Sequence, residues 1–118
     1  MFKKLRTVIY HVSDLEKAKK WYQSITEVKP YFDEPNYVGF DIGGCELGLD
    51  PDFTGIRKGN QSICYWTVKH IDKCVKELEK QGAEILVDVK EVGGGILVAV
   101  VNDPFGNSIG LIEEPKTD

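Results

Sequence analysis

The chain has 118 residues, enough for one domain with a single core and no need of disulfide support. Hydrophobic residues make up 42% and charged residues 29%, a balance that excludes a disordered or a membrane-embedded class. The formal net charge of −4 disfavours a nucleic-acid partner, and no apolar stretch follows the basic start Met1-Phe2-Lys3-Lys4-Leu5 to make a secretion signal or a membrane span. A cytoplasmic protein is the expectation.

In chain order, Leu5 to Val12 is rich in β-branched residues and reads as a strand. Ser13 and Glu16 then stand at capping-box spacing, so a helix is expected to start at Ser13. Leu15, Ala18, Tyr22 and Ile25 recur at helical spacing as its apolar face, and Pro30 ends any continuation. Two short strands, Tyr37 to Ile42 and Cys45 to Asp50, are joined by Gly43-Gly44, a hairpin signal. Asp50 to Asn60 has no periodicity and reads as a loop. The pattern then starts again. Ser62 to Val68 is a strand, and a second helix follows with Ile71, Cys74, Val75 and Leu78 on one face and Gly82 at its end. Glu84 to Val92 is extended, Gly93-Gly94-Gly95 is a turn or bulge, and Ile96 to Val101 with Asn107 to Glu113 form the last hairpin. Cys45, Cys64 and Cys74 are odd in number, lack a CxxC spacing and sit in apolar patterns, so reduced packing thiols are expected.

The restart is residue by residue. Superposing Val12 on Val68 also brings Tyr10 onto Trp66, Leu15 onto Ile71, Lys17 onto Lys73, Ala18 onto Cys74, Lys20 onto Lys76 and Tyr22 onto Leu78. Superposing Gly48 on Gly110 brings Asp41 onto Asp103, Gly44 onto Gly106, Leu47 onto Ile109 and Leu49 onto Leu111. Any two amphipathic strand-helix units share some matches, but an ordered set of this length implies a duplicated βαβββ module, about 1–58 and 59–118.

The turn Asn102-Asp103-Pro104-Phe105-Gly106-Asn107 between two apolar strands near the chain end, together with the repeat, resembles the vicinal oxygen chelate superfamily, the glyoxalase, bleomycin-resistance and extradiol dioxygenase group. The resemblance implies an α+β fold in which two βαβββ modules form curled mixed sheets around a cavity, with the helices outside. Strand alternation then chooses the wall. If Leu47, Leu49, Ile109 and Leu111 pack under helices, the cavity side receives Thr7, Ile9 and His11, Glu46, Gly48 and Asp50, Ile63, Tyr65 and Thr67, and Ser108, Gly110 and Ile112.

Metal-using members of the superfamily place carboxylate and imidazole ligands on this wall. Carried over by spacing and by module symmetry, those positions fall on Thr7, Ile63, Gly110 and Gly48, none of which offers a side-chain ligand. The expectation is therefore no metal cofactor, with the glycines making room. His11, Glu46 and Glu114 are the remaining candidates for an atypical site. His70, at the entry to the second helix, reads as a surface or capping residue, and Glu113 and Glu114 as solvated charge at a chain end. What remains resembles the bleomycin-resistance branch, whose members bind small molecules as dimers. Asp41, Glu46 and Asp50, with Tyr65 and Tyr37, suit a cationic or aromatic ligand. Two readings stand side by side: a metal-independent binding module, and an enzyme of the superfamily, either a lyase or dioxygenase with unusual metal ligands or an acid-base catalyst with His11 as proton acceptor and Glu46 or Tyr65 as its partner.

Overall fold

The computed structural model describes residues 1–53 and 62–115. The chain divides into two compact units, Met1–Lys58 and Gly59–Asp118. The first contains β1 (Thr7–His11), α1 (Leu15–Thr26), β2 (Phe32–Glu34), β3 (Tyr37–Ile42) and β4 (Cys45–Asp50); the second contains β5 (Cys64–Thr67), α2 (Ile71–Lys80), β6 (Glu84–Glu91), β7 (Leu97–Asn102) and β8 (Ser108–Glu113). Each is a βαβββ module. The strand orders β1-β4-β3-β2 and β5-β8-β7-β6 are the same under the duplication, and neither four-stranded sheet closes into a barrel. Both sheets are mixed, with one parallel pair (β1 with β4, β5 with β8) beside antiparallel hairpins.

The repeat extends to register. Ile9 lies opposite Gly48 in the first sheet, and Tyr65 lies opposite Gly110 in the second. The hairpins differ in one respect. The two-residue turn of the first unit brings Asp41 opposite Glu46, whereas the longer turn of the second brings Asn102 opposite Ser108, so the ladder partner of Asp41 in the duplication is Asn102 and not Asp103.

Alternation sorts each sheet into a helix-covered row and an open row. In the first unit Tyr10, Val38, Phe40, Leu47 and Leu49 are buried with Ala18, Trp21 and Tyr22 of α1. Trp21 was not on the face expected from spacing; it joins because its ring meets Tyr22 edge-on at 4.8 Å, widening the buried stripe. In the second, Ile109, Leu111, Ala99 and Val101 are buried with Ile71, Val75 and Leu78 of α2. The three cysteines are free and half-buried, and burial pushes the Cys74 thiol up from its ordinary value.

The helix starts correct two expectations. Asp14 and not Ser13 caps α1: its carboxylate accepts the Lys17 N–H at 3.1 Å, satisfying one of the orphan donors of the first turn. At the equivalent position in the second unit His70 stands exposed at the N-cap and makes no capping bond. Its place is taken by Glu113 at the end of β8, whose carboxylate accepts the Ile71 N–H at 2.7 Å. Glu113 is thus a half-buried cap and not the solvated charge expected at a chain end, while Glu114 is exposed. Two boundaries also move. β5 begins at Cys64, leaving Ile63 just before it, and the short strand β2, absent from the sequence reading, pairs with β3. The loop expected from Asp50 to Asn60 carries no helix or strand from Pro51 as far as Phe53; its remainder, 54–60, lies outside the described residues. Among the described residues no helix is long and apolar enough to cross a membrane.

Candidate functional site

The open row of the first sheet carries Thr7, Ile9 and His11 from β1, Glu46, Gly48 and Asp50 from β4, and Tyr37, Gly39 and Asp41 from β3. Ladder pairing fixes their order: Thr7 and Asp41 flank Glu46, Ile9 and Gly39 flank Gly48, and His11 lies opposite Asp50. The chemistry is therefore split between two ends of the strands, about 13 Å apart for four residues of extended chain.

At the Glu46 end, each carboxylate oxygen receives a phenol. Tyr37 donates to Oε2 at 2.5 Å, and Tyr31 donates to Oε1. Tyr31 is held by its backbone, whose N–H donates to Gly39 O at 3.0 Å and so extends the β2–β3 ladder by one residue. Tyr37 reaches Glu46 by laying its ring across Gly48, where a Cβ would come within 2.6 Å of Cζ. Beside this clamp lies an open pocket of about 470 Å3 lined by Lys4, Arg6, Tyr31, Asp41, Gly44 and Glu46. Arg6 donates to Thr7 Oγ1 at 2.7 Å, and Asp41 accepts the Gly44 N–H at 3.0 Å, closing the hairpin turn.

The Tyr37 hydroxyl is pushed up from its ordinary value, first by burial and then by the Asp50 carboxylate, while Arg6 pulls the other way. The fold thus favours the neutral phenol that donates to Glu46. As pH climbs past about 10, the unfolded chain ionises at this position first, so stability is fully present below that pH and is lost as pH rises through the higher folded-state value. A spectroscopic titration of phenolate absorbance is expected to show one tyrosine ionising above the normal range and to lose that component in Tyr37→Phe. A variant titration that overlays the wild type would mean the ring is not held in this way.

At the other end, His11 Nδ1 lies 2.9 Å from Asp52 O, and its ring is 5.7 Å from that of Phe53. A carbonyl only accepts, so Nδ1 carries the proton and Nε2 is the basic nitrogen of the neutral ring. Asp50 accepts the Asp52 N–H at 2.8 Å, which shapes the loop that presents this carbonyl. The expected partnership of His11 with Glu46 is not formed, because the two stand at opposite ends of the paired strands.

In the second unit the open row holds Tyr65, Thr67, Ser108, Gly110 and Ile112, with Ile63 just ahead of it. The Tyr65 ring lies over Gly110, where a Cβ would come within 2.6 Å of Cδ2. Contrary to the expectation that they make room, the space above both glycines is filled. Each is the floor beneath a tyrosine, and the two tyrosines come from different strands: Tyr37 from the hairpin neighbour β3, Tyr65 from the parallel neighbour β5.

The four positions that the resemblance would give to metal ligands are Thr7, Gly48, Ile63 and Gly110. They do not fit a divalent ion, since the side-chain space at both glycines is filled by phenol rings and neither Ile nor a neutral Thr is an adequate donor. Among the described residues no group of three or more His, Cys, Asp or Glu side chains is placed to hold a metal ion, and within the first unit His11 and Glu46 stand at opposite ends of the paired strands. Tyr31, Lys4 and Arg6 were missed as site residues. Tyr31 precedes a three-residue strand too short to announce itself, though its two-residue phase with Asp33 and the nearby Tyr37 was a signal; Lys4 and Arg6 looked like ordinary terminal charge.

The model of the Glyoxalase/Bleomycin resistance protein/Dioxygenase superfamily matches residues 4–111. No curated protein matches the chain. Among solved structures, a glyoxalase/bleomycin resistance protein/dioxygenase family enzyme from Burkholderia phytofirmans PsJN is 18% identical with a TM-score of 0.82, covering 96% of this chain and 100% of that one. A glyoxalase-related enzyme from Fulvimarina pelagi is 17% identical with a TM-score of 0.78, covering 97% and 90%. Lactoylglutathione lyase from Agrobacterium tumefaciens is 18% identical with a TM-score of 0.73, covering 93% and 92%. At these identities the likeness is one of fold. With the duplicated βαβββ modules and a family match over nearly the whole length, the chain belongs to the glyoxalase/bleomycin resistance protein/dioxygenase superfamily.

Proposed function

We propose that this protein binds a small organic molecule carrying a cationic or aromatic group, without a metal ion, on the open face of its first unit. The observation that carries the reading is the Glu46 carboxylate held between two tyrosine hydroxyls at the edge of a pocket. A carboxylate fixed by two donors needs no rearrangement to receive a cation, and the exposed ring of Tyr31 offers a face for stacking. The four ligand positions of metal-using relatives support a metal-free pocket, since each holds a residue that cannot ligate. By analogy with the bleomycin-resistance branch, the protein is a cytoplasmic homodimer in this reading.

A panel of amines and aromatic compounds is expected to contain members that raise the melting temperature in proportion to occupancy. Glu46→Gln removes the charge while keeping the shape, and calorimetry is expected to show those members binding about tenfold or more weaker, the scale of a hydrogen bond to a charged group. Unchanged affinity in the variant would move the site elsewhere. One tightly bound zinc, nickel or manganese ion per chain, found by elemental analysis, would overturn the metal-free part.

A second reading, acid-base catalysis by His11, has its own observation. The Asp52 carbonyl accepts from Nδ1 and so orients the ring with a proton on that nitrogen. His11→Ala is expected to abolish turnover of a proton-transfer substrate while the melting temperature stays near that of the wild type. Retained turnover would end this reading and leave the binding module.

A further inference from the structure

We infer that the ligand of the Glu46 pocket is a compact zwitterion, an ammonium and a carboxylate in one small molecule, with the ammonium at Glu46 and Asp41 and the carboxylate at Arg6 and Lys4. The inference rests on the binding reading above and narrows its ligand class.

Four charged side chains line this one pocket, two acidic and two basic. The ion pairs of Lys19 with Glu16 and Asp33 lie away from the pocket, and among the described residues no ion pair joins its acidic side chains to its basic ones. Arg6 is turned to the Thr7 hydroxyl, and Lys4 points its ammonium toward the Gly44 carbonyl at 3.5 Å. Glu46 is turned to two phenols. The acidic and the basic groups, the two poles of the pocket, are each turned to neutral partners, and their formal charges sum to zero.

The acidic pole carries a cost that a ligand would relieve. Asp41 and Glu46 are directly opposite each other across the β3–β4 ladder, and like charges in that position are destabilising. An ammonium between them offsets the repulsion. A purely cationic ligand of any length, however, would also meet Arg6 and Lys4, and a purely anionic one would meet Asp41 and Glu46. A molecule with both charges satisfies both poles. The volume of about 470 Å3 falls within the range of small-molecule pockets, and the Tyr31 ring, 60% exposed, supplies a wall for an apolar or aromatic body.

The test uses the full, untagged chain and three probes of one shape: phenethylamine with the ammonium alone, 3-phenylpropionate with the carboxylate alone, and phenylalanine with both. Calorimetry is expected to give phenylalanine at least tenfold tighter binding than either half. Arg6→Ala should collapse the ratio between phenylalanine and phenethylamine toward one, and Glu46→Gln should collapse the ratio between phenylalanine and 3-phenylpropionate. Circular dichroism confirms that each variant is folded; should Glu46→Gln misfold, the Arg6→Ala ratio alone decides. Phenethylamine binding as tightly as phenylalanine would overturn the zwitterion and keep a cation site. If none of the three binds while another amine or aromatic in the wider panel does, the zwitterion fails and the binding reading survives. If nothing in the panel binds, both fall.

Discussion

Replacing Asp103 with alanine is expected to lower the stability of the protein by about 2–3 kcal/mol, the scale of losing hydrogen bonds to a charged acceptor and leaving part-buried donors unpaired. Asp103 is the buried charged residue of the described chain, 4% exposed. Its Oδ1 accepts the Phe105 N–H at 2.9 Å and the Asn107 N–H at 2.7 Å, and its Oδ2 accepts from the Asn107 side chain at 3.3 Å. The turn between β7 and β8 is also closed by the Asp103 N–H donating to Asn107 O at 2.8 Å. Alanine keeps the backbone bond but strands two amides in a turn that sets the register of the whole second sheet. The substitution Asp103→Asn retains one side-chain oxygen that can take both amides, so it is expected to lose less than half as much. Urea unfolding of the two variants measures the difference. Equal losses would mean that charge, and not the acceptor geometry, holds the turn.

The second large effect is expected at Gly48. A side chain there meets the Tyr37 ring, so Gly48→Val forces Tyr37 off its seat and breaks its bond to Glu46. Overpacking of this kind costs about 1–3 kcal/mol, although the better strand propensity of valine offsets part of it. The functional loss should exceed the structural one: without Tyr37 the Glu46 carboxylate loses one of its two fixed donors, and ligand affinity is expected to fall at least tenfold. Gly39→Ala is the control, because its Cβ would meet Glu46 and Tyr31 at 3.4 Å, within ordinary contact distance. If Gly48→Val binds ligand as well as Gly39→Ala, the clamp is not what holds the ligand. At Gly110 the consequence is milder, since Tyr65 is 47% exposed and can swing its ring into solvent.

The two glycines show what duplication preserves. The backbone frame repeats with its register, so Gly48 and Gly110 occupy the same place in their sheets. The side chains above them do not repeat. Tyr37 ties to a carboxylate and Tyr65 stands half in solvent, so among the described residues the first unit carries a polar clamp at this position and the second does not. One module has kept a frame while the chemistry on it has diverged.

Much of the fold was legible in the chain because it is written in local periodicity. The strands Tyr37–Ile42 and Cys45–Asp50 fall where the Gly43-Gly44 turn requires, and the rows led by Leu47 and Ile109 pack under helices because alternation leaves a strand two faces and only one of them can be apolar. The final turn declared the family through Asp103, Pro104 and Gly106, residue types suited to a turn closed around a buried carboxylate. What tertiary structure decided was every partnership between residues distant in sequence. Nothing local joins Tyr31 to Glu46, replaces the silent cap of His70 with Glu113 from the far end of its module, or sets His11 against Asp52 rather than Glu46. Nor could composition tell whether the glycines on the open face were vacancies or seats for rings. Side-chain pattern specifies which face a residue takes; only the folded register specifies which neighbour it meets there, and the candidate site is made of those meetings.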